Sequence, residues 1–307
     1  MKIVVFGPQE RTGALVGDNI VDLNAANSSI PASLLALIEA GQPALELAGK
    51  VIEQHGSSAP DGKIVFKASE VKLHAPWPGK RIACAGGNFG KHLMGMESGG
   101  NVTLEEVVQK ARDRGQWGFW KVPAEVAGPG DEVPFPKRTK YFDYEGEAAI
   151  VIGKRGKDIP ASAIDDYVWG ITLLNDWSIR DGGGRPFPMS YNLAKNFDRS
   201  TSMGPCIVVG ELAHGNVPVQ LKVNGELRQD YSTSEMVFSF GEILAELSRD
   251  FTFVPGDVIS GGTQCGTAAD KTPKGPDGTK ATDLFLKPGD VVELSSPKIG
   301  SLTNRIV

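Results

Sequence analysis

The chain has 307 residues, with 32 Lys and Arg against 37 Asp and Glu, a formal net charge of −5. That balance, without a basic run interleaved with aromatic residues, argues against a nucleic-acid surface, because phosphate binding needs concentrated positive charge. No apolar stretch reaches the roughly 20 residues of a membrane helix, and Cys84, Cys206 and Cys265 are spaced as free thiols of a reducing compartment rather than as metal ligands.

In chain order, MKIVVFGPQ reads as a strand rather than a signal peptide, so a cytoplasmic location without membrane attachment is expected. PASLLALIEAG and PALELAGKVIEQHG then read as two helices, closed by Gly41 and Gly56 in the left-handed cap that glycine favours. HAPWPGK, with two prolines and a glycine, separates a small α+β domain over 1–75 from a main domain over 80–307, which opens with the strand RIACAGG. Thr103 with Glu106, and Ser239 with Glu242, have the spacing of capping boxes that start helices. Asn224-Gly225 predicts a type I′ hairpin turn, since both positions must take positive φ, and Pro288-Gly289-Asp290 predicts a turn before VVEL. Strands seldom alternate with long helices, which disfavours a doubly wound α/β sheet and points to a β-rich α+β fold.

The densest chemical signal lies in YFDYEGEAAIVIGK. Glu145 and Glu147 alternate, so on a strand they share a face, and the continuation Ala148–Ile152 reads as buried. Asp176 ends a second apolar run, WGITLLND. Paired glutamates on one strand also fit a solvated face, and Asn-Asp at a strand end also fits a turn. Three carboxylates at the edge of a core, however, repel one another unless protons or a cation compensate them. An all-oxygen set suits magnesium or manganese, with calcium as a substitute, better than zinc. GNFGKH imitates a phosphate-binding loop but has Ala85 where the first glycine belongs and His92 where Ser or Thr belongs.

Six segments, CAGGNFGKH (Cys84–His92), YEGEAAIVIGK (Tyr144–Lys154), LLNDWSIRD (Leu173–Asp181), LAKNFD (Leu193–Asp198), VNGELRQ (Val223–Gln229) and FLKPGDVVEL (Phe285–Leu294), occur in an order and spacing that resembles the fumarylacetoacetate hydrolase family, including its acylpyruvase and 2-hydroxyhepta-2,4-diene-1,7-dioate isomerase members. The resemblance runs from about Lys80 to the C-terminus. It implies a mixed β-sheet roll, a homodimer and a small-molecule oxo acid substrate. It also implies magnesium on Glu145, Glu147 and Asp176, and His92 as the base of a His-carboxylate pair. Arg180, Lys195 and Thr263 follow as substrate or charge-stabilising contacts, with Lys121 of FWKVP as a further candidate.

Two departures stand out. The family's partner glutamate three residues after the histidine is Gly95 here, which leaves Glu97, Glu105 or Glu106 to orient His92. Where a substrate-contacting glutamine often follows the arginine, Gly183 stands, and Arg185 is the compensating candidate. The expected reaction is metal-assisted hydrolysis of a carbon-carbon bond in a 1,3-diketo acid, of the acylpyruvate or 2,4-diketo-3-deoxy sugar acid type. In it His92 takes a proton from water, and the metal with Lys195 stabilises the departing enolate. Oxaloacetate decarboxylation, enol-keto tautomerisation and dehydration of a 2-oxo-3-deoxy sugar acid share that electron sink. A non-catalytic metal-binding homologue is the alternative of a different class.

Overall fold

The computed structural model describes residues 1–96, 102–181, 191–210, 214–273 and 280–307, with Met96 and Tyr191 described by backbone alone. The apolar run after Glu147 forms the strand Gly146–Ile152, buried along its whole length. Alternation explains why no polar residue interrupts it. Ala148, Ile150 and Ile152 point into one hydrophobic cluster and Ala149 and Val151 into another, so both faces of the strand are covered.

Among the described residues this strand is part of an eleven-stranded sheet. Its antiparallel neighbour on one side is Val168–Asp176, which pairs in turn with Thr201–Val208 and through it with Lys2–Phe6. On the other side lie Val258–Ser260, then Ile82–Gly86 in a parallel pair, then Trp117–Lys121. The opening strand therefore hydrogen-bonds to the main sheet, across the HAPWPGK punctuation. A second sheet of five strands runs in the order Glu226–Ser232, Pro218–Val223, Val291–Ser296, Gly300–Ile306 and Glu132–Val133. Leu221 and Leu294 of this sheet join Ala148 and Ile150 in one core, while Leu37, Ile38 and Val51 of the helical segment Leu34–His55 cover the opposite face. The result is the strand-rich α+β architecture expected.

Local signals translate with two adjustments. The capping boxes at Thr103 and Ser239 open the helices Leu104–Arg114 and Phe240–Leu247, each with both reciprocal hydrogen bonds. Asn224 and Gly225, at φ 51° and 82°, turn the hairpin between Pro218–Val223 and Glu226–Ser232, and Gly289 at φ 100° turns the chain before Val291. The two expected helices form one element, Leu34–His55, broken at Gly41 (φ 62°, ψ −149°) with Pro43 just beyond. Gly56 is not left-handed: at φ −62° it continues the right-handed turn, and its NH donates to the Ile52 carbonyl. What glycine provides there is room, since a Cβ would stand 2.6 Å from the Ile52 carbonyl oxygen.

The parallel strands Ile82–Gly86 and Val258–Ser260 feed the loops that line the site, and an ion pair at their entrance holds them together. Arg81 donates from Nε (3.0 Å) and Nη2 (2.5 Å) to the fully buried Asp257, and its guanidinium lies over the Trp120 and Phe251 rings. Asp257 also accepts from the Val254 NH at 2.8 Å. Asp257→Ala is expected to remove about 3 kcal/mol of stability, read as a lowered urea midpoint, whereas Arg81→Lys keeps the charge and loses less.

Candidate metal centre and acid-base pair

The register that buries the central strands also gathers the acids. Gly146 pairs with Asn175 and Glu147 with Leu174, so Asp176 stands one step beyond on the face that Leu174 shares. The Asp176 NH donates to the Glu145 carbonyl at 2.9 Å, and the Asn175 side chain accepts from the Glu145 NH at 3.0 Å. Glu145, Glu147 and Asp176 are thus buried together, each offering an oxygen within 4.8 Å of the others.

Three cations face this cluster from three directions. Lys195 donates to Glu145 Oε2 (2.5 Å), Asp176 Oδ2 (2.7 Å) and Ser178 Oγ (2.6 Å). Arg180 donates from Nη2 to Glu145 Oε1 (2.5 Å) and from Nε to Asp143 Oδ2 (2.9 Å). Lys121, fully buried, donates to Asp176 Oδ1 (2.5 Å) and the Ser200 carbonyl (2.7 Å). Asp143, Glu145, Glu147 and Asp176 therefore outnumber Lys121, Arg180 and Lys195 by one. The imbalance falls on Glu147, whose carboxylate is met by the Ser260 hydroxyl and by no cation among the described residues.

Electrostatics follow that layout. Burial pushes the Glu147 carboxyl well above the usual carboxylate range, and the charges of Asp176 and Glu145 push the same way. Burial also acts to raise Glu145, but Arg180 and Lys195 outweigh it and hold its carboxyl below the usual range. For Lys195 burial works against the charge, and Asp176 and Glu145 reverse the sign, keeping the ammonium protonated. Buried, oxygen-only donors with one acid unmatched by a cation fit a hard divalent cation, because such an ion supplies positive charge to oxygen ligands.

Beside the carboxylates lies a histidine held by a carboxylate of its own. His92, on the helix Gly90–Met96, hydrogen-bonds through Nδ1 to Asp270 Oδ2 at 2.8 Å, and both side chains are more than nine-tenths buried. An ionised carboxylate only accepts, so Nδ1 carries the hydrogen, and in the neutral imidazole this leaves the lone pair on Nε2. Asp270 sits on the short helix Ala268–Lys271, where its Oδ2 also accepts from the Gly266 NH at 3.1 Å. Its carboxylate fills the space beside Gly95, since a Cβ on that glycine would approach Asp270 Oδ1 to 3.2 Å. His92, Glu145, Glu147, Arg180, Lys195 and Thr263 line one pocket, with Trp117 and Phe119 among its walls.

Not every expected contact takes the expected role. Lys121 does not line this pocket; behind Asp176, it orients a carboxylate instead of facing substrate. Thr263 does line it, but its hydroxyl donates to the Gly146 carbonyl (2.9 Å) and accepts from Gln229 (2.8 Å), so its proton is committed inside the protein. Glu106 is occupied by its capping box, while Glu97, Gly183 and Arg185 lie outside the described residues. Sequence reasoning missed Asp143 and Asp270. Asp143 carried a usable signal, being two residues before Glu145 in the same alternation, whereas nothing in GTAADK announces a partner 178 positions upstream.

The family profile of the fumarylacetoacetate (FAA) hydrolase C-terminal domain matches residues 81–307. The chain belongs to this family. Oxaloacetate tautomerase YisK of Bacillus subtilis is 34% identical, over 96% of this chain and 95% of its own. The mitochondrial oxaloacetate tautomerase fahd2 of Xenopus laevis is 30% identical, over 100% and 90%. Among solved structures, fumarylacetoacetate hydrolase from Exiguobacterium antarcticum superposes with a TM-score of 0.74 at 28% identity, covering 100% of this chain and 99% of that one. Maleylpyruvate hydrolase from Sphingobium, determined with manganese(II) and pyruvate, shares the fold with a TM-score of 0.74 at 23% identity, covering 100% and 99%. Family members with these names are enzymes, and they span tautomerase and hydrolase chemistry on small oxo acids.

Glu147 gives the site a pH signature. A carboxyl whose folded pKa is raised stays protonated above the ordinary glutamate range, so the metal-free protein loses stability as pH rises through that folded value. A cation must displace the proton, hence affinity for magnesium or manganese is expected to rise with pH and uptake to release a proton. Calorimetric titration in buffers of different ionisation enthalpy measures the release; buffer-independent heats would contradict it.

Proposed function

We propose that the protein is a divalent-metal-dependent enzyme that interconverts the enol and keto forms of a short 2-oxo dicarboxylic acid of the oxaloacetate type. The carrying observation is that the carboxylate cluster and the His92–Asp270 pair line or border one pocket, so a substrate held at the acids lies within reach of an oriented imidazole. Relatives matched over nearly their whole length and named oxaloacetate tautomerases support this choice.

Glu145, Glu147 and Asp176 would hold magnesium or manganese, which supplies Lewis acidity at the oxygens of a 2-oxo acid. The chain's own residues handle the proton. With Nδ1–H donated to Asp270, Nε2 of His92 accepts the enol hydroxyl proton. The resulting imidazolium returns a proton to C3 as the C2–C3 double bond becomes the C2 carbonyl, so atoms balance and no co-reactant is consumed. Asp270 keeps the ring in the tautomer that exposes the lone pair. Arg180 and Lys195 place positive charge along the wall, and Trp117 and Phe119 limit water.

The same oriented imidazole favours a second reading, hydrolysis of an acylpyruvate or another 1,3-diketo acid, in which Nε2 takes its proton from water. Ultraviolet decay of enol-oxaloacetate with added magnesium or manganese, coupled to a separate assay for pyruvate, discriminates them. Tautomerase activity gives metal-dependent, chelator-sensitive decay without pyruvate; pyruvate from oxaloacetate indicates decarboxylation, and cleavage of acylpyruvates indicates the hydrolase. His92→Gln is expected to lower kcat by about 10²- to 10⁴-fold. An unimpaired His92→Gln enzyme would remove the imidazole from the mechanism.

A further inference from the structure

We propose that Asp143 is a positioning residue that couples the metal-ligand cluster to the acid-base pair, an inference that rests on the metal-dependent reading above. Its carboxylate is fully buried; besides the adjacent Tyr144 NH, which donates to Oδ1 at 2.9 Å, its hydrogen-bond partners belong to Arg180 and to the helix that carries Asp270. Oδ2 accepts from Arg180 Nε at 2.9 Å, and the same guanidinium grips Glu145 through Nη2. Oδ1 accepts from the Ala268 NH at 2.8 Å, and Oδ2 also accepts from the Ala269 NH at 3.0 Å, the first amides of the helix that presents Asp270 to His92. The neighbouring Tyr144 hydroxyl donates to the Gly266 carbonyl at 3.0 Å, fastening the approach to that helix.

One carboxylate thus sets two geometries. A hydrogen-bonded chain runs from Glu145 through Arg180 and Asp143 to the amides of residues 268 and 269, and from their helix through Asp270 to the His92 ring. A cation that draws Glu145 toward itself changes the pull on Arg180, and Asp143 transmits the change to the helix holding Asp270. The arrangement prepares the base when the cluster is loaded. Asp143 touches neither the imidazole nor a metal-ligand side chain directly, so its effect passes through Arg180 and through backbone amides.

The test reads both ends without relying on turnover. Magnesium affinity is measured by calorimetry, and the His92 tautomer by ¹⁵N chemical shifts of histidine-labelled protein, assigned with His92→Gln. Asp143→Asn is expected to weaken magnesium about tenfold or more and also to shift His92 away from the Nδ1–H tautomer. Asp270→Asn is expected to change the His92 signal alone. Movement of one readout or neither in folded Asp143→Asn overturns the coupling. Should that variant fail to fold, wild-type protein decides: magnesium slows hydrogen exchange at the Ala268 and Ala269 amides if the coupling holds, and unchanged exchange overturns it. A wild-type protein that takes up no magnesium overturns this proposal together with the metal-dependent reading. Coupled readouts without turnover of oxaloacetate overturn only the choice of substrate.

Discussion

Compensation of buried charge is the constraint around which this molecule is arranged. Asp143, Glu145, Glu147 and Asp176 are buried, three of them at alternate positions leading into Gly146–Ile152 and the fourth at the end of its neighbour Val168–Asp176, and an ionised acid is costly to dehydrate unless an opposite charge lies against it. Lys121 comes from the strand Trp117–Lys121, Arg180 from just beyond Ser178–Ile179, and Lys195 from the short helix Tyr191–Lys195. Each ammonium or guanidinium meets more than one acceptor, so each cation fixes relative positions as well as charge. The scaffold must hold all these elements at once, and the strands that supply Glu147 and Asp176 lie deep in the large sheet and not at its edges.

The division of labour within the site follows from burial. The fully buried Lys121 and nearly buried Lys195 offset the charge of the acids, Lys195 bridging Glu145 and Asp176, whereas Arg180, with about a fifth of its side chain exposed, is both a brace for Glu145 and part of the pocket wall. His92 stands opposite, supported by an acid from a distant part of the chain. This arrangement puts the charge cluster and the histidine pair on separate elements, and members of one family can retain a scaffold while changing what it acts on.

How much of this was legible in the sequence depends on the range of the interaction. Glu145, Glu147 and the apolar residues after them state their alternation locally, and Asp176 closes a run of the same kind, so the cluster could be read from strand geometry. Thr103, Ser239 and Asn224-Gly225 are likewise local, because the backbone groups they satisfy or the dihedral angles they require lie within a few residues. Asp270 is the opposite case: its helix is four residues long, and its meeting with His92 depends on how Val258–Ser260 and Ile82–Gly86 pair in parallel. Lys121 of FWKVP is a candidate substrate contact in the sequence, but which side of Asp176 it approaches is set by tertiary packing. Gly56 was misread for a related reason, since steric room and positive φ both select glycine.

The packing of Gly146 between the two acidic residues has a consequence for natural variation. A Cβ there would stand 2.7 Å from a methyl of Leu294 and 3.0 Å from one of Leu221, so the second sheet rests directly on the backbone that carries the ligands. Protein interiors transmit small volume changes rather than absorbing them. Branching or lengthening of side chains at 221 or 294, more than seventy positions downstream in sequence, would therefore press on the backbone that carries Glu145 and Glu147. A change of shape at those two core positions would thus alter the carboxylate geometry while every polar residue of the pocket stays the same.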